Sequence, residues 1–292
     1  MTSAEDVARA AGLTKVGGRP SLPDYVSEVW RRRTFIYKMA RFKIEAENQQ
    51  TSLGMLWVVL KPLLNALVYG AVFGLLIGGR RPPDFVEFLI IGVFVFEFFA
   101  QSWTAGGKAI TNNAALVQSL AFPRMVLPLA AVVQRFLQFL PTIPIMLIFL
   151  VVTGNNPTLH WLLIVPLFFL FFVFNCGLAL VTARLSVHWR DLNNFIPFLV
   201  RFAFYTTGIF FSVEQRFGSG AAEGDRLPAV VTFSSWQPVH EFLSLARAAL
   251  LQGAEYHMNE QFWIRATAWS IGLFLVGVWF FWRAEERYGR VD

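Results

Sequence analysis

Charge is scarce in this 292-residue chain: Asp, Glu, Lys and Arg make up 15% of it, against 55% hydrophobic residues and a mean hydropathy of +0.51. A water-soluble domain of this size could not keep so much apolar area off its surface, so lipid must be part of the solvent. Cysteine is nearly absent: Cys176 alone excludes an intrachain disulfide and, in an apolar run, reads as packing. No phosphate-binding G-x-x-x-x-G-K-[ST] occurs, since Gly106-Gly107-Lys108 is followed by Ala109. Any ATP must therefore be bound by another subunit. His160, His188, His240 and His257 share no metal-ligand spacing, and Asp191 has no carboxylate near it, so no metal and no catalytic residue are expected. Residues 1–23 lack the apolar core of a signal peptide and read as a flexible cytoplasmic tail.

What is abundant is long apolar sequence. Six runs can span a bilayer: Leu56 to Gly78, Phe85 to Trp103, Met125 to Val152, Trp161 to Ala183, Phe195 to Val213 and Phe262 to Trp282. Backbone in lipid must satisfy its own hydrogen bonds, so all six should be helices. The expected fold is thus an all-α integral membrane protein with six transmembrane helices. Lys and Arg number nine in Met1–Lys43, two in each loop on that side and three after Trp282, against five on the other side, Arg80, Arg81, Arg216, Arg226 and Arg247. The positive-inside rule then puts both termini in the cytoplasm. The net charge of +6 follows membrane topology, which argues against nucleic acid as partner.

Two further segments flank the spans. Residues 24–50 mix Val26, Val29, Trp30, Tyr37, Ala40 and Ile44 with Arg31–Arg33, Lys38, Arg41 and Lys43, a pattern expected of an amphipathic interfacial helix on anionic headgroups, ahead of a six-helix transmembrane domain over 51–292. Before the last span, Val239, Phe242, Leu243, Ala246 and Leu250 repeat at helical spacing up to Gly253. Roughly 14 residues reach about 21 Å, short of a full crossing, so a short re-entrant outer helix is expected.

Four local patterns carry a resemblance. Leu53-Gly54-Met55-Leu56-Trp57 with Lys61-Pro62 resembles the L-G-x-L-W-x-x-x-x-P element of ABC type-2 export permeases, and Phe122-Pro123-Arg124 through Leu127-Pro128 resembles their F-P-R-x-x-L-P. His188-Trp189-Arg190-Asp191 is similar to their aromatic-Arg-Asp element. Gln237-Pro238, with Gln where the family has Asn, and Arg247 to Gly253 resemble N-P and R-x-x-L-x-x-G. Within that family the length and signatures look closest to membrane subunits that export bacterial polysaccharides and teichoic acids. Twenty of 25 basic residues are Arg, as in a high-GC genome, where a lipid-linked cell-wall galactan is one candidate cargo.

The resemblance implies a channel between two copies of the chain in the bacterial plasma membrane. Two separate nucleotide-binding ATPase subunits, carrying ATP and Mg, would dock at the cytoplasmic face, and the cargo would be a lipid-linked glycan. Docking candidates are Asn112, Asn113 and Gln118 in one inner loop and Trp189, Arg190 and Asp191 in the next. Charges inside spans are costly, and four fall in the inner half: Lys61 at a depth of about 8 Å, Arg201 at about 9 Å, Glu97 at about 10 Å and Arg135 at about 15 Å. Their positive excess suits a pyrophosphate being admitted; the alternative is that Lys61 snorkels and Glu97 pairs with Arg135 or Arg201. Phe94, Phe98, Trp103, Tyr205, Phe210 and Phe211 are candidates to line the channel, because sugar C–H faces stack on aromatic rings. Rival readings are a type-2 exporter of a lipid or drug, a membrane-embedded glycan or lipid transferase, and a secondary transporter.

Overall fold

A computed structural model of the chain describes residues 20–49, 52–77, 84–119, 122–189, 191–213, 217, 228–253, 256, 258 and 260–285. The expected tail over 1–23 and Arg190 therefore lie wholly or largely outside the described residues. Every regular element among those described is helical: α1 Leu22–Arg31, α2 Arg33–Gln49, α3 Trp57–Ile77, α4 Phe85–Gly107, α5 Ala114–Ser119, α6 Val126–Phe139, α7 Thr142–Val152, α8 Ile164–His188, α9 Leu192–Thr206, α10 Pro228–Ser235, α11 Pro238–Leu250 and α12 Glu260–Trp282.

Among the described residues, four stretches are long and apolar enough to cross a membrane: Phe85–Gly107, Val126–Val152, Leu159–His188 and Glu260–Trp282. The expected first span is also a helix, α3, with a shorter apolar stretch over Trp57–Val72. In the expected fifth span, Phe195 to Val213, the main helix is Leu192–Thr206. Its 15 residues reach about 22 Å, less than the hydrocarbon thickness, because the chain turns at Thr207-Gly208, where Gly208 takes φ +72°. The third span is likewise two helices. Pro141 has no N–H to continue the ladder of α6, and the Thr142 hydroxyl donates instead to the Phe139 carbonyl at 2.7 Å.

The helices run alternately up and down. One end of the bundle gathers the C-terminal ends of α4, α8 and α12, the N-terminal ends of α6 and α9, and α1 with α2. α8 and α12 cross closely where Gly177 and Gly277 meet. A Cβ on Gly177 would stand 2.6 Å from the Leu273 carbonyl carbon, and one on Gly277 would stand 2.7 Å from the Gly177 carbonyl oxygen. With no hydrophobic force between helices in lipid, this close backbone approach supplies the packing. Elsewhere the core is aromatic. Phe98 stacks on Phe139 with centroids 5.1 Å apart, and Phe171 lies 4.5 Å from Phe242, tying α4, α6, α8 and α11 together.

The amphipathic N-terminal segment is two helices broken at Arg32, and its buried stripe differs from the expected one. Val29, Ala40 and Ile44 are buried as the spacing suggests, joined by Tyr25 and Ile36, while Val26, Trp30 and Tyr37 are exposed. The reason is that one face packs on protein: α2 lies along α6 and α1 reaches the end of α12. In contrast, the segment before the last span does form a helix, and Val239, Phe242, Leu243, Ala246 and Leu250 are all buried.

Candidate functional site

A cavity of about 870 Å³ opens between α2, α3, α4 and α6 near the end of the bundle that carries α1 and α2. From Lys108 to Phe94 along α4 it runs about 21 Å at the helical rise. Its charged walls are Lys43, Lys61, Lys108 and Arg135 against Glu47 and Glu97, an excess of two positive charges. Amides and hydroxyls fill the gaps, among them Gln101, Thr104, Gln134, Gln138 and Thr142. Three of the four inner charges singled out in the sequence, Lys61, Glu97 and Arg135, therefore meet in one place. Arg201 does not; it is exposed on α9.

The pairing differs from the expected one. Glu97 accepts from the Gln101 amide at 2.7 Å, and the ion pair of Arg135 is with Glu47, at 3.1 Å. Glu47 comes from the last turn of α2, 88 residues away in the chain, because α2 docks along α6. Burial alone would raise the Glu47 carboxyl, but Arg135 and hydrogen bonds from Gln138, Gln134 and Arg135 outweigh it and hold it below the ordinary carboxylate range. Lys43, one turn earlier, donates to Asn113 at 3.3 Å. Burial pushes its ammonium down, Glu47 pulls it back up and Arg135 pushes it further down.

Below the cavity mouth the F-P-R segment is clamped. The Tyr25 hydroxyl donates to Glu285 Oε2 at 2.6 Å and accepts the Met125 N–H at 3.3 Å, while Glu285 Oε1 accepts the Arg124 N–H at 3.0 Å. The Arg124 guanidinium reaches the Glu285 carbonyl at 3.1 Å. One carboxylate thus joins α1, the start of α6 and the end of α12. Burial raises the Glu285 carboxyl, and the Tyr25 hydroxyl, the Arg124 N–H and the Arg124 charge offset part of that rise.

At the opposite end Arg247, counted from the sequence as an outer-side cation and as the head of the R-x-x-L-x-x-G element, is buried at 4% exposure. Its guanidinium donates to the carbonyls of Phe88 (3.3 and 3.2 Å), Gly208 (2.9 Å) and Ile209 (3.0 Å) and lies 3.3 Å from the Phe88 ring centroid. Gly92 makes room, since a Cβ there would stand 2.5 Å from Nη2. The R-x-x-L-x-x-G arginine is therefore a tie between α11, α4 and the turn that ends α9. The Arg at its head was visible in the sequence; the carbonyl cage was not, because backbone acceptors leave no residue signature.

The docking candidates sit at the cavity end. Asn112, Gln118, Trp189 and Asp191 are exposed, and Asn113 is half-buried with its amide donating to Ala109 at 2.6 Å. The two loops adjoin, for a Cβ on Gly107 would meet Ile196 at 2.6 Å and Asn193 at 3.7 Å. Among the aromatics, Phe94, Phe98 and Phe210 are buried in the core of this chain, Phe94 and Phe98 also edging the cavity. Trp103 and Phe211 are half-buried, and Tyr205 is exposed.

The cavity thus sets six charged side chains and several amides and hydroxyls among apolar helices. A sequence profile of the ABC-2 type transporters matches residues 41–216, from the middle of α2 to just past α9. The chain belongs to the ABC-2 type transporter membrane family. It is a multi-pass membrane protein of that family. It is similar to two O-antigen export system permease proteins RfbA of Klebsiella pneumoniae, at 34% and 32% identity over 173 residues, 59% of this chain and 66% of each of theirs. The matched region is thus just under two thirds of those relatives' length. A third similar protein is the polysialic acid transport protein KpsM of Escherichia coli, 22% identical over 211 residues, 69% of this chain and 75% of its own.

Proposed function

We propose that this chain is the channel-forming subunit of an exporter that moves a lipid-linked polysaccharide across the bacterial plasma membrane, driven by a separate ATPase. Six spans with both termini in the cytoplasm, two copies around the channel and two nucleotide-binding subunits complete the reading. The observation that carries it is the inner cavity, whose excess cations suit an anionic headgroup, in a family chain similar to O-antigen export permeases. α1 and α2 take the interfacial position, with exposed Trp30, Phe35 and Phe42 toward headgroups.

The channel itself lies between two copies in this reading. Phe195, Phe198, Phe202 and Tyr205 are exposed on one face of α9, and Arg201 stands on that same face. An arginine aimed at hydrocarbon is expensive, so a face that mixes it with rings fits a hydrated path better than lipid. Of the aromatics singled out from the sequence, Tyr205 fits this lining directly. Phe94, Phe98 and Phe210 support the wall from behind, with Trp103 and Phe211 at its edge. The exposed Asn112, Gln118, Trp189 and Asp191, with Asn113 beside them, take the ATPase-docking role, and Arg190 is assigned to it with its neighbours.

The test is assembly. Co-expression with a nucleotide-binding subunit from the same operon should yield a complex with two copies of each chain, whose ATP hydrolysis rises on addition of the lipid-linked glycan. A monodisperse chain that binds no such subunit would refute the reading.

A further inference from the structure

Four donors converge on the Glu47 carboxylate. Oε1 accepts from Gln134 Nε2 at 2.8 Å and Arg135 Nη2 at 3.1 Å; Oε2 accepts from Gln138 Nε2 at 3.1 Å and Arg135 Nη1 at 3.3 Å. All four sit on one turn of α6, so the receptor is built by a single rigid element. Arg135 Nε is buried and has no hydrogen-bond partner among the described residues, which leaves one donor more than a carboxylate uses. Gln134 is buried at 3% exposure, so its amide is held in place. The occupant is less fixed: the Glu47 side chain is 44% exposed and comes from the last turn of α2.

An ion pair this exposed adds little stability, about 0–1 kcal/mol, so the lock alone does not account for four preorganised donors. The chemistry fits a larger anion. A phosphate presents three acceptor oxygens and up to two charges, where Glu47 presents two oxygens and one charge. Lys43, Lys61 and Lys108 line the same cavity, and with Glu47 withdrawn the walls carry an excess of three positive charges.

We propose that Gln134, Arg135 and Gln138 form a phosphate or diphosphate receptor that Glu47 keeps closed, and that an incoming diphosphate headgroup displaces Glu47 and releases the end of α2. This rests on the export reading and adds to it a resident competitor for the anion. Loading and movement of α2 become one event, because the headgroup cannot take the donors while the carboxylate holds them. The closed state lowers apparent affinity by the fraction of chains that are open.

The full chain in phosphatidylcholine nanodiscs, titrated with radiolabelled inorganic diphosphate and with farnesyl diphosphate, tests this. Glu47→Gln should bind diphosphate about tenfold more tightly than the unaltered chain if closure is favoured about tenfold, and Arg135→Gln added to it should abolish the gain. Tighter binding of the farnesyl form assigns the receptor to a lipid-linked headgroup, and equal binding assigns it to the free anion; displacement stands in both cases. No tightening in Glu47→Gln, or tightening that survives Arg135→Gln, overturns the proposal. Should Glu47→Gln not fold, hydrogen exchange of residues 33–49 in the unaltered chain decides, since saturating diphosphate should speed it and unchanged exchange refutes displacement. Glycan transport by the unaltered complex without tightening in Glu47→Gln would leave the export reading standing, whereas tightening without any glycan transport would do the reverse.

Discussion

Replacing Arg247 by lysine tests whether the outer tie depends on the guanidinium fork or merely on a positive charge. Arg247 makes four bonds to three carbonyls on two different elements, Phe88 on α4 and Gly208-Ile209 at the end of α9. A lysine keeps the buried charge and its desolvation cost, but one ammonium cannot span both elements or lie flat over Phe88. At least two bonds should be lost, at about 1.5–3 kcal/mol each for bonds to a charged group, so Arg247→Lys should cost about 3–6 kcal/mol. Arg247→Met leaves the Gly208 and Ile209 carbonyls unpaired but also removes the buried charge, and should be no worse than lysine. The assay is an SDS unfolding titration in mixed micelles followed by tryptophan fluorescence. Gly92→Ala provides the cross-check. Its Cβ would press on Nη2 at 2.5 Å, so it should cost about 1–3 kcal/mol in the unaltered chain and clearly less in the Arg247→Met background. Arg247→Lys within about 1 kcal/mol of the unaltered chain, or equal Gly92→Ala costs in both backgrounds, would refute the reasoning.

Other outcomes follow from the same geometry. Gly177→Val would force α8 and α12 apart against backbone that cannot yield, costing upward of about 3 kcal/mol and sharply lowering the folded yield by size-exclusion chromatography. Tyr25→Phe removes both bonds of the phenol and should cost about 1–3 kcal/mol near neutral pH. Glu285 titrates above its ordinary value of 4.5 because it is buried, so its favourable contribution is complete below that value and is lost as pH rises through the folded-state value. Since Tyr25 holds that carboxyl down, the Tyr25→Phe deficit should grow across this window, as unfolding titrations at pH 4 and above would show. Trp189→Ala with Asp191→Ala touches exposed side chains and should leave unfolding within about 0.5 kcal/mol while reducing recovery of the ATPase subunit on affinity purification.

What was legible in the sequence is what a single helix determines by itself. The stripe Val239, Phe242, Leu243, Ala246 and Leu250 encodes a buried face whatever its neighbours are, and α11 buries it. Helix ends depended on particular backbone events: Gly208 at positive φ stops α9 seven residues before Val213, and Pro141 divides the third apolar run. The inner cluster was half visible. Lys61, Glu97 and Arg135 were found by depth alone, since depth along a helix follows from residue number. The partner of Arg135, Glu47, was not, because nothing in residues 24–50 says that α2 lies on α6 rather than on lipid. The packing of α2 on α6 and of α1 on the end of α12 explains why Ile36 and Tyr25 are buried and Trp30 is not. The carbonyl bonds of Arg247 tie its place to packing inside the bundle, which its count as an outer-side cation did not foresee.

Proteoliposomes holding this chain, its ATPase subunit and a lipid-linked polysaccharide test the export account most directly, read as lectin-accessible glycan in the lumen after ATP is added outside. ATP-dependent appearance of lumenal glycan, lost when Phe198, Phe202 and Tyr205 are changed together to Ala in a complex that still assembles, is the predicted result. A complex that assembles and hydrolyses ATP yet moves no glycan, or moves it equally well without those rings, would contradict the account.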